Sequence, residues 1–197
     1  MNMKKMRFLS LGALALLTLT ACSSEGGEIS KKEALAMYKD KESKAAGYVG
    51  AAEYGEFNYK VVNKKSDEAV TEIQKYFTTN VLPYMTHFVV ATPVPLAKDC
   101  FIKNDVEETI TLAKYFGEAV TYTKNEKKVT THFTGSVNSK DEKYSTAMYF
   151  EAKYNDVGLL YSSKFNFVLA GDANEKGEVL TKVKGDCSLK ITWSKAA

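Results

Sequence analysis

The clearest pattern in the chain is an alternation of apolar and polar residues through its second half. Apolar or aromatic side chains fall at every second position over residues 120–123, 129–137, 144–154, 157–169 and 179–193. A period of two is typical of half-buried β-strands. Because short polar turns separate these runs, the pattern predicts consecutive strands joined into an antiparallel meander.

The longer of these strands are unusual in length. Each extends over roughly 11 to 15 residues, whereas about 5 or 6 is ordinary. Strands of that length must twist and bend, and Gly135, Gly158 and Gly185 are the predicted bend or bulge positions. A curved sheet of this kind would have a concave apolar face. The candidates for that face are Tyr161, Phe165, Phe167, Leu189, Ile191 and Trp193.

The first half of the chain mixes helical and strand patterns. Ser30 and Glu33 form a capping box, and the apolar spacing after them predicts a helix over about residues 31–45. Alternation predicts a strand near residues 55–63. Ser66, followed by two acidic residues in a first helical turn, predicts a second helix.

The middle of the chain is less regular. Three prolines interrupt residues 81–95, which predicts an irregular or edge strand followed by a loop. Residues 96–103 predict a strand that contains Cys100, and a third helix should begin near Asn104 and end at Gly117. The whole pattern predicts an α+β fold, in which a curved antiparallel meander has about three helices on one face.

The N-terminal segment has a composition of its own. Lys4, Lys5 and Arg7 precede an apolar run over residues 8–21 that ends in small residues. This arrangement is typical of a secretory signal peptide. The run has fourteen residues, which is shorter than the roughly 20 that a membrane-spanning helix needs.

The sequence Leu19-Thr20-Ala21-Cys22 resembles the lipobox of bacterial lipoproteins. The resemblance covers the first 22 residues and implies cleavage between Ala21 and Cys22, with a diacylglycerol attached to Cys22. Two acyl chains would hold the protein durably on a membrane. We therefore expect a protein anchored by lipid to the extracytoplasmic face of the cell membrane.

This reading divides the chain into three parts. Residues 1–21 would be a cleaved signal peptide, residues 22–29 a lipidated N-terminus with a short tether, and residues 30–197 a single globular domain. The length of the third part is ordinary for one domain with its own core.

Removal of the signal would change the charge of the protein. Three of the 27 basic residues lie in residues 1–21 and none of the 24 acidic residues does, so the formal charge would fall from +3 to zero. Arg7 is the only arginine in the sequence, and bidentate recognition of phosphate usually uses the arginine guanidinium. We therefore expect no nucleic-acid partner.

Cys22 apart, the cysteines are Cys100 and Cys187. An even pair in an exported chain predicts a disulfide, and two unpaired buried thiols are the alternative. The two histidines, His87 and His132, have neither the spacing of metal ligands nor a nucleophile motif beside them. We therefore expect no metal, no cofactor, no catalytic residues and no enzymatic activity.

The predicted order of elements and the lipid anchor together resemble bacterial carriers of the LolA, LolB, LppX and LprG type. Those proteins form a half-barrel of curved sheet covered by helices, and the resemblance implies a lipid or other apolar ligand between sheet and helices. We therefore expect a non-enzymatic binding protein. The alternative is a solid-core surface module that contacts other envelope proteins, and a ligand cavity of about 300 Å³ or more would distinguish the two.

Overall fold

Eight strands form a single antiparallel sheet, which confirms the meander predicted from the alternation. The structure is a computed structural model that describes residues 26–56, 58–84 and 94–196. The strands are β1 (Gly27–Ile29), β2 (Tyr48–Tyr54), β3 (Asn58–Asn63), β4 (Thr121–Asn125), β5 (Lys128–Asn138), β6 (Tyr144–Tyr154), β7 (Leu160–Ala173) and β8 (Val179–Lys195).

The strand order is β1-β4-β5-β6-β7-β8-β2, and β3 also pairs with β8. Strand β8 has 17 residues, so its outer side accommodates two strands end to end. Strand β2 pairs with residues 189–195 of β8, and β3 pairs with residues 182–186. Between them the backbone amide of Gly55 donates to the Ser188 carbonyl at 2.8 Å. Strands β2 and β3 therefore follow one edge of the sheet in line.

The helices are α1 (Lys31–Ala36), α2 (Glu42–Ala45), α3 (Asp67–Asn80) and α4 (Ile102–Tyr115), and Leu82–Tyr84 form one 3-10 turn. These elements together with the sheet confirm the α+β class. The structure also confirms the predicted cap of α3, because the Ser66 hydroxyl accepts from the Ala69 amide at 3.2 Å. Gly117, with φ at +72°, follows the end of α4 as predicted. None of the helices in the described ranges is long and apolar enough to cross a bilayer.

Helices α3 and α4 pack against one face of the sheet, which we call the helix-packed face. Helix α3 contacts β6, β7 and β8, and α4 contacts β5. The ring of Phe77 on α3 stacks on that of Phe167 at 4.6 Å between centroids, and Phe116, just after α4, lies 6.0 Å from Phe133. The other side of the sheet has no helix in these contacts, and we call it the open face.

The candidate concave residues have different positions in this arrangement. Phe165, Phe167, Leu189 and Ile191 are buried in the core on the helix-packed face, and Trp193 packs at its margin. Tyr161 lies outside this core, with the Lys128 ammonium 5.6 Å from its ring centroid. The assignment of Tyr161 to the concave face was wrong because the β6–β7 register shifts beside it. Lys153 pairs with Ser162, and Tyr154 pairs with Leu160, so Tyr161 is the extra residue of a bulge.

The predictions for residues 26–63 were partly confirmed. The single helix over residues 31–45 was wrong, because a turn separates α1 from α2. Strand β2 was not predicted, whereas the strand expected near residues 55–63 is confirmed as β3. The expected tether, residues 22–29, includes β1, which pairs with β4.

The predictions for the middle of the chain were also partly wrong. Residues 96–103 form a turn and the start of α4 rather than a strand, because the amides of Asp99 and Cys100 both donate to the Leu96 carbonyl at 3.1 Å. The irregular strand expected over residues 81–95 lies largely outside the described residues.

The predicted bulge glycines do not lie at register shifts. Gly135 pairs in regular register with Met148, and Gly185 pairs likewise with Phe167. Gly158 lies in the β6–β7 turn with φ at +88°, a backbone conformation that favours glycine. The bulge alternative was therefore wrong at Gly135 and Gly185, and a bend at these two positions stays a prediction.

Candidate functional site

An open groove lies between the α1–α2 segment and the residues that lead into α4. It consists of two adjoining hollows of about 620 and 340 Å³, which share Lys39, Glu42 and Phe101 in their walls. Both volumes fall in or near the range of small-molecule sites, about 300 to 1,000 Å³. This groove is the candidate site.

The α1–α2 wall is positioned by a helix cap and by one buried tyrosine. The Ser30 amide donates to the Glu33 carboxylate at 2.8 Å, and the Glu33 amide donates to the Ser30 hydroxyl at 3.2 Å, which fixes the start of α1. Tyr38 is fully buried, and its hydroxyl donates to the Lys127 carbonyl at 3.0 Å. This contact attaches the turn between α1 and α2 to the β4–β5 turn.

The opposite wall is positioned by the β6–β7 turn. The Ile102 amide donates to the Gly158 carbonyl at 2.9 Å, and the Leu160 amide donates to the Cys100 carbonyl at 2.8 Å. A Cβ atom at Gly158 would lie 2.8 Å from the Phe101 ring and 2.9 Å from the Tyr38 ring. The absence of a side chain at Gly158 therefore allows the two aromatic residues of the groove to approach the turn.

The groove has an apolar floor and a charged rim. The floor is formed by the buried residues Tyr38, Ala45, Phe101 and Ile102. The rim has four lysines and two acids, of which Glu42 pairs with Lys103 at 3.8 Å. The rim residues are Lys32, Lys39, Lys98, Lys103, Asp40 and Glu42. The surplus of positive charge favours a ligand with a negative group.

A buried polar pair lies in the core near this groove. Asp105, in the first turns of α4, is 1% exposed and accepts a hydrogen bond from the hydroxyl of Tyr154, which is fully buried. Burial is the main cause that raises the pKa of Tyr154 well above its ordinary value, and the Asp105 charge is the second. The Tyr154 hydroxyl therefore stays protonated and donates a hydrogen bond to the Asp105 carboxylate.

The two cysteines are free thiols. The Cys100 carbonyl accepts a hydrogen bond from the Leu160 amide, at the start of β7. Cys187 lies opposite Phe165, which is five residues further along β7. Five strand residues span about 17 Å, and a disulfide needs Cα atoms within about 7 Å. The predicted disulfide was therefore wrong in this structure. Burial raises the pKa of the Cys100 thiol to about 12, so Cys100 is protonated and a poor nucleophile at neutral pH.

No match is found among family models, curated proteins or solved structures. No group of three or more histidine, cysteine or acidic residues in the described ranges is arranged to hold a metal ion.

The remaining residues singled out in the sequence are not brought to the groove. His132 lies on the open face, opposite Glu151, and the Glu151 carboxylate lies 3.4 Å from the Lys164 ammonium. His87, Ala21 and Cys22 lie outside the described residues. The sequence pattern missed the groove because its two walls were interpreted as one continuous helix and one strand. The only sequence signal was the run of small residues near Ala45, which leaves space beside the helix.

Proposed function

We propose that this chain is a lipid-anchored, extracytoplasmic binding protein without catalytic activity, and that its ligand occupies the groove between the α1–α2 segment and α4. The lipidated residue would be Cys22, and the host membrane would be the partner that holds the protein in place. As part of this proposal, the domain resembles the half-barrel carriers of the LolA and LppX type.

The observation that carries the proposal is the larger hollow of about 620 Å³, which exceeds the lower volume expected of a ligand site. The expected position between sheet and helices is less favourable, since Phe165, Phe167, Leu189 and Ile191 pack there with the helices in one core. We therefore place the ligand at the groove and not beneath the helices.

The chemistry of the groove favours one class of ligand. Its floor is apolar, and Lys39, Lys98 and Lys103 lie on its rim. An amphiphile with an acyl chain and a negatively charged head would bury its chain on the floor and place its head near the lysines. A fatty acid is the simplest molecule of this kind.

Binding of the fluorescent fatty acid cis-parinaric acid tests the proposal. The Ala46→Trp variant would fill the larger hollow from an exposed wall position, and Ala173→Trp at the exposed end of β7 is the matched control. We expect the native protein and the control to bind the probe and Ala46→Trp to bind it at least tenfold more weakly. If the native protein does not bind, or if both variants bind equally, the groove is not the site.

The lipid anchor has a separate test. Cys22→Ala should abolish metabolic labelling with palmitate and should leave the uncleaved precursor, whereas Cys100→Ala should retain both labelling and cleavage. Continued labelling of Cys22→Ala would exclude lipidation at this position.

A second candidate function is an envelope interaction module that contacts other proteins and needs no small ligand. The observation that favours it is the exposed edge strand β3, all six residues of which are exposed.

A further inference from the structure

Strand β3 is exposed on both of its faces. Its burial pattern is exposed at all six positions, and three of these residues are large and apolar. Tyr59 is 38% exposed, Val61 37% and Val62 47%. A strand normally buries at least one face, so this amount of apolar surface exposed on one strand is unusual.

Strand β3 is also an edge. In the part of the chain that the structure describes, it pairs with β8 and with no other strand, so the backbone groups along its other side face outward. Natural proteins usually protect such edges with proline, charged residues, bulges or a covering element. Strand β3 contains no proline, Lys60 is its only charged residue, and its register with β8 shifts only after Val61. The regular stretch Asn58–Val61 is therefore suited to pairing with an added strand.

The electrostatic surroundings of β3 indicate the charge of the added strand. Lys60 lies directly opposite Lys184 on the open face, and Lys182 shares that side of β8. Neighbouring lysines have acidic partners, since Lys64 pairs with Asp67 at 2.7 Å and Lys65 with Asp172 at 3.9 Å.

Lys60, Lys182 and Lys184 have no ion pair within the described residues. Asp186 on the same face accepts a hydrogen bond from the Asn58 amide at 2.9 Å. The open face beside β3 is therefore positively charged and without full compensation.

We propose that β3 binds an extended segment of a partner protein in which apolar and acidic residues alternate. The segment adds to the sheet as a further strand beside β3. Because alternate residues of a strand point to opposite faces, its carboxylates meet Lys60 and Lys184 on the open face. Its apolar side chains meet Tyr59 and Val61 on the helix-packed face. Main-chain hydrogen bonds supply affinity, and this alternation supplies specificity.

Charge decides against a second copy of this chain as the occupant. Pairing of two β3 strands would bring Lys60, Lys182 and Lys184 of both copies to one surface, and like charges placed together across strands are unfavourable. A segment with carboxylates at alternate positions replaces this repulsion with attraction. The proposal goes beyond ligand binding in the groove and does not depend on it.

Binding of a synthetic probe tests the proposal. The probe is a fluorescein-labelled peptide of alternating valine and glutamate, seven residues long and blocked at both ends. A second peptide has lysine in place of each glutamate. We expect the native protein to bind the glutamate peptide at least tenfold more tightly than the lysine peptide. Hydrogen exchange should slow at the amides of β3 when the glutamate peptide is added.

Charge-reversal variants provide the matched comparison. Lys60→Glu combined with Lys184→Glu should weaken binding of the glutamate peptide at least tenfold and strengthen binding of the lysine peptide. Lys127→Glu combined with Lys140→Glu, at two exposed positions in other turns, should leave both affinities within twofold. Circular dichroism before titration checks that both variants are folded.

Three results would overturn the proposal. The first is no binding of the glutamate peptide at millimolar concentration, and the second is equal affinity for the two peptides. The third is self-association of the native protein that by itself protects the β3 amides from exchange, which would assign this edge to a second copy of the chain. These measurements concern β3 alone, so they test the proposal whether or not the groove binds a fatty acid.

Discussion

The ring of Phe167 on β7 lies directly over Gly185 on β8. The two residues are opposite each other in the register of the strands, and a Cβ atom at Gly185 would lie 2.3 Å from Cζ of Phe167. The other side of the ring stacks on Phe77 of α3. Two further cross-strand pairs repeat this contact, with Tyr144 over Gly171 and Trp193 over Gly50. Glycine therefore allows aromatic rings to lie close against the sheet at these three positions.

Gly185→Ala should destabilise the protein by about 1–3 kcal/mol, the usual cost of inserting a methyl group into a packed core. The new methyl group must displace the Phe167 ring and with it the stack on Phe77. Urea unfolding followed by circular dichroism measures the change in the free energy of unfolding. Gly27→Ala is the control, because a Cβ atom there would meet nothing within 4 Å. Equal effects of the two substitutions would contradict the packing argument.

Tyr154→Phe should destabilise the protein by about 1–3 kcal/mol, because it removes a buried donor from the Asp105 carboxylate. Tyr144→Phe is a matched control. It removes a hydroxyl that donates at 2.8 Å to Glu72, but this contact is exposed. We expect the control to change the free energy of unfolding by less than about 0.5 kcal/mol. Thermal and urea unfolding both measure the change in the free energy of unfolding. A smaller loss of stability in Tyr154→Phe than in Tyr144→Phe would contradict the argument from burial.

Cys100 should react slowly with iodoacetamide in the native protein at neutral pH. Burial raises its thiol pKa to about 12, so the reactive thiolate is scarce. After denaturation without reductant, both Cys100 and Cys187 should be alkylated, because both are free. Peptide mass mapping of each cysteine distinguishes the two conditions. A linked pair of peptides in the unreduced digest would show that the bridge forms after all.

The stability of the protein should decrease at alkaline pH, and Tyr38 should contribute to the decrease. Burial raises the pKa of Tyr38 to about 12 from its ordinary value of 10.0. Its contribution to stability is therefore complete below about pH 10 and is lost as the pH rises towards 12. In this window one such group reduces the free energy of unfolding by up to about 1.4 kcal/mol for each pH unit.

Tyr38→Phe isolates this contribution, because a phenylalanine has no proton to lose. The variant is expected to be less stable at neutral pH, since it lacks the bond to the Lys127 carbonyl. Its stability should then fall less steeply than that of the native protein from about pH 10 to 12. Identical slopes for the two proteins would mean that Tyr38 ionises equally in the folded and unfolded states.

The strands β5 to β8 were predictable because their pairing is local. Each follows its neighbour after a short turn, and alternation identifies the side chains that enter the core. The edge strand β2 was not predictable in this way, since its partner β8 lies far along the chain. The sequence of β2 contains Gly50, Ala51 and Ala52, which give little alternation. Its strand conformation is imposed by pairing with β8.

The candidate site was harder to predict because tertiary contacts form both of its walls. Local spacing favoured one helix through Tyr38, but α1 ends at Ala36 and the Tyr38 hydroxyl donates to the Lys127 carbonyl, 89 residues away. Phe101 was expected in a strand, yet it precedes α4 and forms a single bridge with Leu159. Tyr161 shows the same limitation, since one bulge was enough to remove it from the core.

Strand β8 also controls when the fold can be completed. It carries the pairing of both β2 and β3, and 128 residues separate Asn58 from its neighbour Asp186. During synthesis β2 and β3 therefore have no strand to pair with until residues 179–195 have emerged. Contacts of such high sequence separation make folding slow. In a nascent chain β2 and β3 would thus stay unpaired until β8 has been synthesised. A nonsense mutation before β8 would also leave these two early strands without their partner strand.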